Sequence, residues 1–127
     1  KDGSAGGCTN LGWMYYNGQG IEKDHFKAAE HYAKGCEGGN ARGCSNLGVM
    51  HEYGEGVKQD PVKAAALYAK ACDNEDTGGC FNLGLLYSKG EGVKQDAAVA
   101  KILFEKACDG GEQKGCEYDA VLEEQGY

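Results

Sequence analysis

The chain of 127 residues has one proline, one tryptophan, two methionines and three serines, and several kinds of protein are excluded by what is scarce. No apolar run approaches the roughly 20 residues that a membrane-spanning helix needs, so membrane insertion is not expected. The opening residues KDGSAGGC also lack the apolar stretch of a signal peptide. Basic residues are in deficit, 13 against 20 acidic, and the net charge of -7 has the wrong sign for gripping nucleic acid or anionic lipid. β-branched residues are few and no segment alternates polar with apolar, so strands are not indicated. Ser4, Ser45 and Ser88 stand in neither S-x-x-K nor G-x-S-x-G, and no K-T-G occurs, so the usual serine β-lactamase apparatus is missing. Histidines 25, 31 and 51 fall on different elements and read as exposed helix residues. His51-Glu52 lacks the second histidine of H-E-x-x-H, which leaves a zinc hydrolase unsupported. Asp73 to Gly78, DNEDTG, has no glutamate at the twelfth position of a calcium loop, where Gly84 stands instead, and reads as an acidic surface loop. No catalytic residue, metal or cofactor is implied.

Against these scarcities stand 22 glycines and 7 cysteines. Unplaced, that much glycine would suggest disorder, but its placement is regular. The word GEGVKQD occupies residues 54 to 60 and again 90 to 96, and cysteines recur at 8, 44, 80 and 116 and at 36, 72 and 108, all on a period of 36. Counted from its cysteines, the single domain 1–127 divides into repeats 8–43, 44–79 and 80–115 and a terminal helix, 116–127, that reads as a cap.

Each repeat has two halves. From about Cys8 to Asn17, the residues Cys8, Leu11, Gly12 and Tyr15 follow the i, i+3, i+4, i+7 spacing of one helical face, which predicts a helix A ending at Gly18, Gly54 and Gly90. A helix B opens at the N-cap residues Asp24, Asp60 and Asp96, with Pro61 in its first turn, and Ala28, Ala29, Tyr32 and Cys36 line one of its faces. The fold class is all-α. Helical hairpins of this length cannot bury their apolar faces alone, so the units must stack into a solenoid.

Cys36 and Cys44, Cys72 and Cys80, and Cys108 and Cys116 are each eight positions apart, joining the end of one helix B to the start of the next helix A. Three disulfides are the leading reading. On the chain-entropy model each closes a short loop worth roughly 2.5 kcal/mol. Zinc is the weaker alternative, since its sites gather close pairs such as C-x-x-C, whereas these pairs stand a whole repeat apart. Disulfides imply an oxidising compartment, secreted or periplasmic. By the period, the partner of Cys8 would stand one position before Lys1. Cys8 is therefore expected to be unpaired, free or blocked, and the chain to be a fragment of a longer array.

The cores N-L-G at 10–12, 46–48 and 82–84, the turns G-x-G-[IV]-x-x-D and the K-[AG]-C endings resemble the Sel-like repeats, relatives of tetratricopeptide repeats. The cysteine pair in every unit resembles their cysteine-rich secreted branch, the Helicobacter cysteine-rich proteins. The resemblance implies a right-handed solenoid of αα-hairpins with B-to-A disulfides and work as an adaptor binding other proteins. For the cysteine-rich branch it also implies penicillin binding and weak β-lactamase activity. The departure is in the last unit, where Tyr118, Asp119 and Ala120 replace N-L-G and Glu123 and Glu124 read as solubilising residues.

Helix A has a second face. Asn10, Trp13, Met14 and Asn17 repeat the helical spacing away from the packing stripe; their counterparts are Asn46, Val49, Met50 and Tyr53, then Asn82, Leu85, Leu86 and Lys89. In a stacked solenoid this face is expected to line a concave groove, where an amide ladder can bond an extended peptide and Trp13, Met14 and Tyr53 give apolar anchors. The competing reading has each asparagine bonding within the hairpins. The function expected is a secreted or periplasmic module that captures a protein or extended peptide segment. Binding of a β-lactam is the alternative, by resemblance only.

Overall fold

The computed structural model describes residues 4–127, and among these residues all regular structure is helical. Seven helices follow in order: α1 (Ala5–Asn17), α2 (His25–Glu37), α3 (Ala41–Tyr53), α4 (Pro61–Asp73), α5 (Thr77–Lys89), α6 (Ala97–Asp109) and α7 (Gln113–Glu124). The odd-numbered ones are A helices and the even-numbered ones B helices. The B helices begin where the sequence places them, with Asp24, Asp60 and Asp96 accepting hydrogen bonds from the backbone N–H of Lys27, Lys63 and Val99. Each A helix starts three residues before its cysteine. The reason is a second set of caps, Ser4, Asn40 and Asp76, whose side chains accept from the N–H of Gly7, Gly43 and Gly79.

The doubled word is a set of contacts. Gly54 adopts the left-handed conformation that closes α3, and Gln59 donates from Nε2 to the Glu52 carbonyl at 2.9 Å. Asp60 then caps α4. At Gly56 a Cβ would collide with the backbone carbonyl of His25 in the preceding unit, so this turn rests directly on its neighbour.

The core lies between units. One cluster joins Ala28, Ala29 and Tyr32 of α2 to Leu47 and Met50 of α3, and the next joins Ala64, Ala65 and Tyr68 of α4 to Leu83 and Leu86 of α5. Within each hairpin the N-L-G glycine receives an aromatic ring of helix B: a Cβ on Gly48 would stand 2.7 Å from Tyr68, and one on Gly84 2.6 Å from Phe104. Disulfides Cys36–Cys44, Cys72–Cys80 and Cys108–Cys116 pin each B helix to the next A helix, with Cα–Cα separations of 4.5, 4.5 and 4.6 Å. Successive A helices approach one another, α1 to α3 and α3 to α5, while neighbouring B helices diverge. The A helices therefore line the concave side of the solenoid and the B helices its convex side.

Candidate functional site

On the concave side, α1 and α3 leave a pocket of about 240 Å³ lined by Trp13, Tyr16, Asn17, Asn46 and Val49, with Tyr32 of α2 and Met50 of α3 at its base. The indole of Trp13 is 48% exposed, an apolar surface facing solvent beside a half-buried amide. Burial pushes the Tyr32 hydroxyl up to about 12, with Tyr16 adding to the effect and the neighbouring Asn46 amide opposing it. Tyr16 donates to Glu55 Oε1 at 2.8 Å, which ties the first hairpin to the turn of the second and raises the Tyr16 pKa. One unit on, Tyr68 is wholly buried and donates to Glu52 Oε1 at 2.6 Å; burial first, and then this bond, raise its pKa strongly.

Of the residues expected in the groove, Trp13, Asn17, Asn46 and Met50 come together in this pocket, while Tyr53, 64% exposed, ends α3. Asn17 spends its amide on its own helix, donating to the Trp13 carbonyl at 2.9 Å. Asn82 is half-buried, and Lys89 is exposed and 3.6 Å from Glu91. Asn10 is exposed and borders a polar depression with Thr9, Asn40 and Arg42. The methionine column serves the core first: Met50 borders the base of this pocket yet is buried in the stacking face. Met50 and Leu86 are 1% and 0% exposed and are core residues, because they lie three positions beyond Leu47 and Leu83 and share the stacking face. Met14 occupies the same column and lines a depression of the first hairpin with Cys8, Asn10, Leu11 and His31. Tyr16, which completes the pocket, was not singled out by the helical spacing, whereas Tyr32, expected on the packing face of helix B, also floors the pocket.

Cys8 is free and half-buried. His51, expected at the surface, is 9% exposed with Nδ1 3.3 Å from the Lys58 carbonyl, whereas His25 and His31 stack on Tyr16 and Tyr15. Asp76 of the acidic DNEDTG segment is the N-cap of α5. Glu123 does more than solubilise: it stands 3.4 Å from Lys101, which also meets Glu105 at 2.9 Å and Asp119 at 3.0 Å. Among the described residues no three His, Cys, Asp or Glu side chains stand together as metal ligands would. None of the helices is long and apolar enough to cross a membrane.

The family model of the Sel1 repeat matches residues 5–40, 41–76 and 78–112, the three hairpins in the phase that their caps set. The chain belongs to the Sel1 repeat family. Solved Sel1-type structures share its fold. The protective antigen c5321 of uropathogenic Escherichia coli is 31% identical over 98% of this chain and 27% of its own, with a TM-score of 0.92. A Sel1 repeat protein from Oxalobacter formigenes is 26% identical over 96% of this chain and 50% of its own, with a TM-score of 0.91. Helicobacter pylori cysteine rich protein B is 39% identical over 87% of this chain and 79% of its own, with a TM-score of 0.75. This chain thus spans about a quarter of the first of these proteins and half of the second. Curated protein sequences give no significant match. Sel1 hairpins stacked through alanine and glycine, with a B-to-A disulfide at each junction, account for the whole described chain.

Proposed function

We propose that this chain is a protein-interaction module of an oxidising, extracytoplasmic compartment that holds an extended segment of a partner protein along its concave face. The observation that carries the reading is the pocket between α1 and α3, where a half-exposed Trp13 stands beside the Asn46 amide over an aromatic floor. An aromatic anchor with one oriented amide suits a peptide: the ring takes an apolar side chain and the amide pairs with backbone C=O and N–H. Sel1 repeat solenoids serve as protein-interaction modules, and the three disulfides suit a chain that works outside the reducing cytoplasm. The test is a peptide array probed with the native chain and with Trp13→Ala and Asn46→Ala. Peptides bound by the native chain should lose at least tenfold in affinity with Trp13→Ala, about the 1.4 kcal/mol or more that a buried aromatic anchor contributes. Equal binding by both variants refutes the groove.

A further inference from the structure

The convex side carries a second depression that the concave reading does not use. Because the B helices diverge, α2 and α4 leave a cleft of about 520 Å³ between them, floored by Leu47 of α3 and walled by Ala29, Ala33, Val57 and Leu67. At its mouth Phe26 is 76% exposed, and its counterpart on α4, Val62, is 66% exposed. The two rims are charged with opposite sign. On α2 the rim residues are Glu30 and Glu37; on α4 they are Lys63 and Lys70. Each pair is seven residues apart, two helical turns or about 10 Å. Glu30 is engaged only by a loose 3.9 Å contact to Lys34 on its own helix, which leaves the acidic rim open to another partner. The next cleft, between α4 and α6, keeps only half of the pattern: Asp73 and Lys106 stand at the positions of Glu37 and Lys70, but Ala66 stands at that of Glu30 and Val99 at that of Lys63.

We infer that this cleft is a homodimer interface, with a second copy of the chain as its occupant. The charges decide the geometry. A twofold axis running parallel to the helices between α2 and α4 places each α2 over the partner's α4, so that both acidic rims meet basic ones. A twofold axis across the helices would stack acidic on acidic and basic on basic. Only the first arrangement is self-complementary, as an isologous interface must be. Along the helices Glu30 lies three residues beyond the level of Lys63, about 4.5 Å, an offset that a lysine stem spans. The same operation lays Phe26 of each copy beside Val62 of its partner, so the most exposed ring of the molecule gains apolar cover twice. The rim pairs are exposed and set orientation more than affinity, which falls to Phe26 and the alanine-lined trough.

The experiment is sedimentation equilibrium on the intact chain at about 0.15 M salt, where charges more than about 8 Å apart are largely screened. The native chain should show a concentration-dependent dimer. Glu30→Lys/Glu37→Lys gives two basic rims and should be monomeric; Lys63→Glu/Lys70→Glu gives two acidic rims and should be monomeric too. Mixed in equal amounts, the two variants should recover the dimer as a heterodimer. All four positions are at the surface, and circular dichroism verifies that the helices persist; Phe26→Ala, at a side chain 76% exposed, gives the same reading without altering charge. A native chain that stays monomeric to about 1 mM, the weakest association a specific contact gives, overturns the inference. So does a native dimer that survives the charge variants or Phe26→Ala, since it would use another face, and so does a mixture that fails to associate.

Discussion

Gly48→Ala isolates the contact that makes the hairpin. The added Cβ would stand 2.7 Å from Tyr68 Cε1, 2.9 Å from Cδ1 and 3.4 Å from the Ala64 carbonyl. The ring has nowhere to retreat: Tyr68 is 0% exposed and its hydroxyl is tied to Glu52 at 2.6 Å. Overfilling such a site costs typically 1–3 kcal/mol, and the anchored ring puts this case near the top. Alanine returns about 1 kcal/mol in helix propensity, leaving a net loss of about 2 kcal/mol. For a chain of this length that lowers the melting temperature by about 8 °C. Gly78→Ala is the control. It too lies in an A helix, but its Cβ would meet only the Asp76 carboxylate at an ordinary 3.5 Å, so the propensity term stands alone and the variant should be up to about 1 kcal/mol more stable. Urea and thermal unfolding of the two variants give the signs. If Gly48→Ala matched the native chain, or if both variants shifted the same way, the ring-on-glycine contact would not be the origin of the N-L-G pattern.

Glu75 is the one non-glycine with positive φ among the described residues, at 69°, where Gly39 and Gly111 stand in the other units. Glu75→Gly should therefore stabilise by about 1 kcal/mol in chemical denaturation. Replacing Cys72 and Cys80 together by serine should remove about 2.5 kcal/mol and split the calorimetric transition, since the middle hairpins then unfold less cooperatively. In alkaline titration of phenolate absorbance, Tyr68 and Tyr32 should ionise after the exposed tyrosines, and each Tyr→Phe change should delete one late step. Both folded-state pKa values lie above the ordinary 10.0, so the stability these groups give is intact below pH 10 and is lost as pH rises through the raised values. Lys101→Ala with Asp119→Leu should leave α7 docked yet yield mispaired Cys108 or Cys116 after oxidative refolding, read by mass spectrometry of non-reduced peptides.

The fold was legible because its punctuation is local chemistry. Gly54, Gln59 and Asp60 each act within a few residues of their own position, so the repeated word could be read as a helix stop followed by a helix start. The cysteine pairs were legible for the same reason, eight residues apart across one loop. The start of helix A was hidden because its caps are three different residues, Ser4, Asn40 and Asp76, with no shared letter to mark the period. Residues 46 and 47 are both helical neighbours of Met50, at i+4 and i+3, so spacing alone could not tell whether Met50 follows the groove asparagine or the core leucine. It follows both, being 1% exposed in the core and bordering the pocket beside Asn46. His51 was misjudged likewise, since nothing in its neighbours shows that Lys58 folds back on it.

One junction breaks the pattern in both partners at once. Ala29 meets Leu47 between the first two units, and Ala65 meets Leu83 between the next two. At the corresponding positions of the last junction stand Lys101 and Asp119, 3.0 Å apart, with Glu105 and Asp119 holding the lysine pKa above its usual range. Aromatic edges take over the apolar work there, Tyr118 meeting Phe81 and Phe104 with ring centres 5.2 Å apart. Nearly identical units carry a hazard, because α5 and α7 present the same kind of face to the same kind of partner. Were α7 to dock on α4, Asp119 would lie against Ala65 with no cation; were α3 to take the place of α7 on α6, Leu47 would lie against the ammonium of Lys101. Each error desolvates a charge without a partner, a cost that neither correct junction bears. The ion pair is largely shielded, its side chains 14% and 21% exposed, so desolvation of both charges offsets its attraction, and it acts by making the wrong pairings worse.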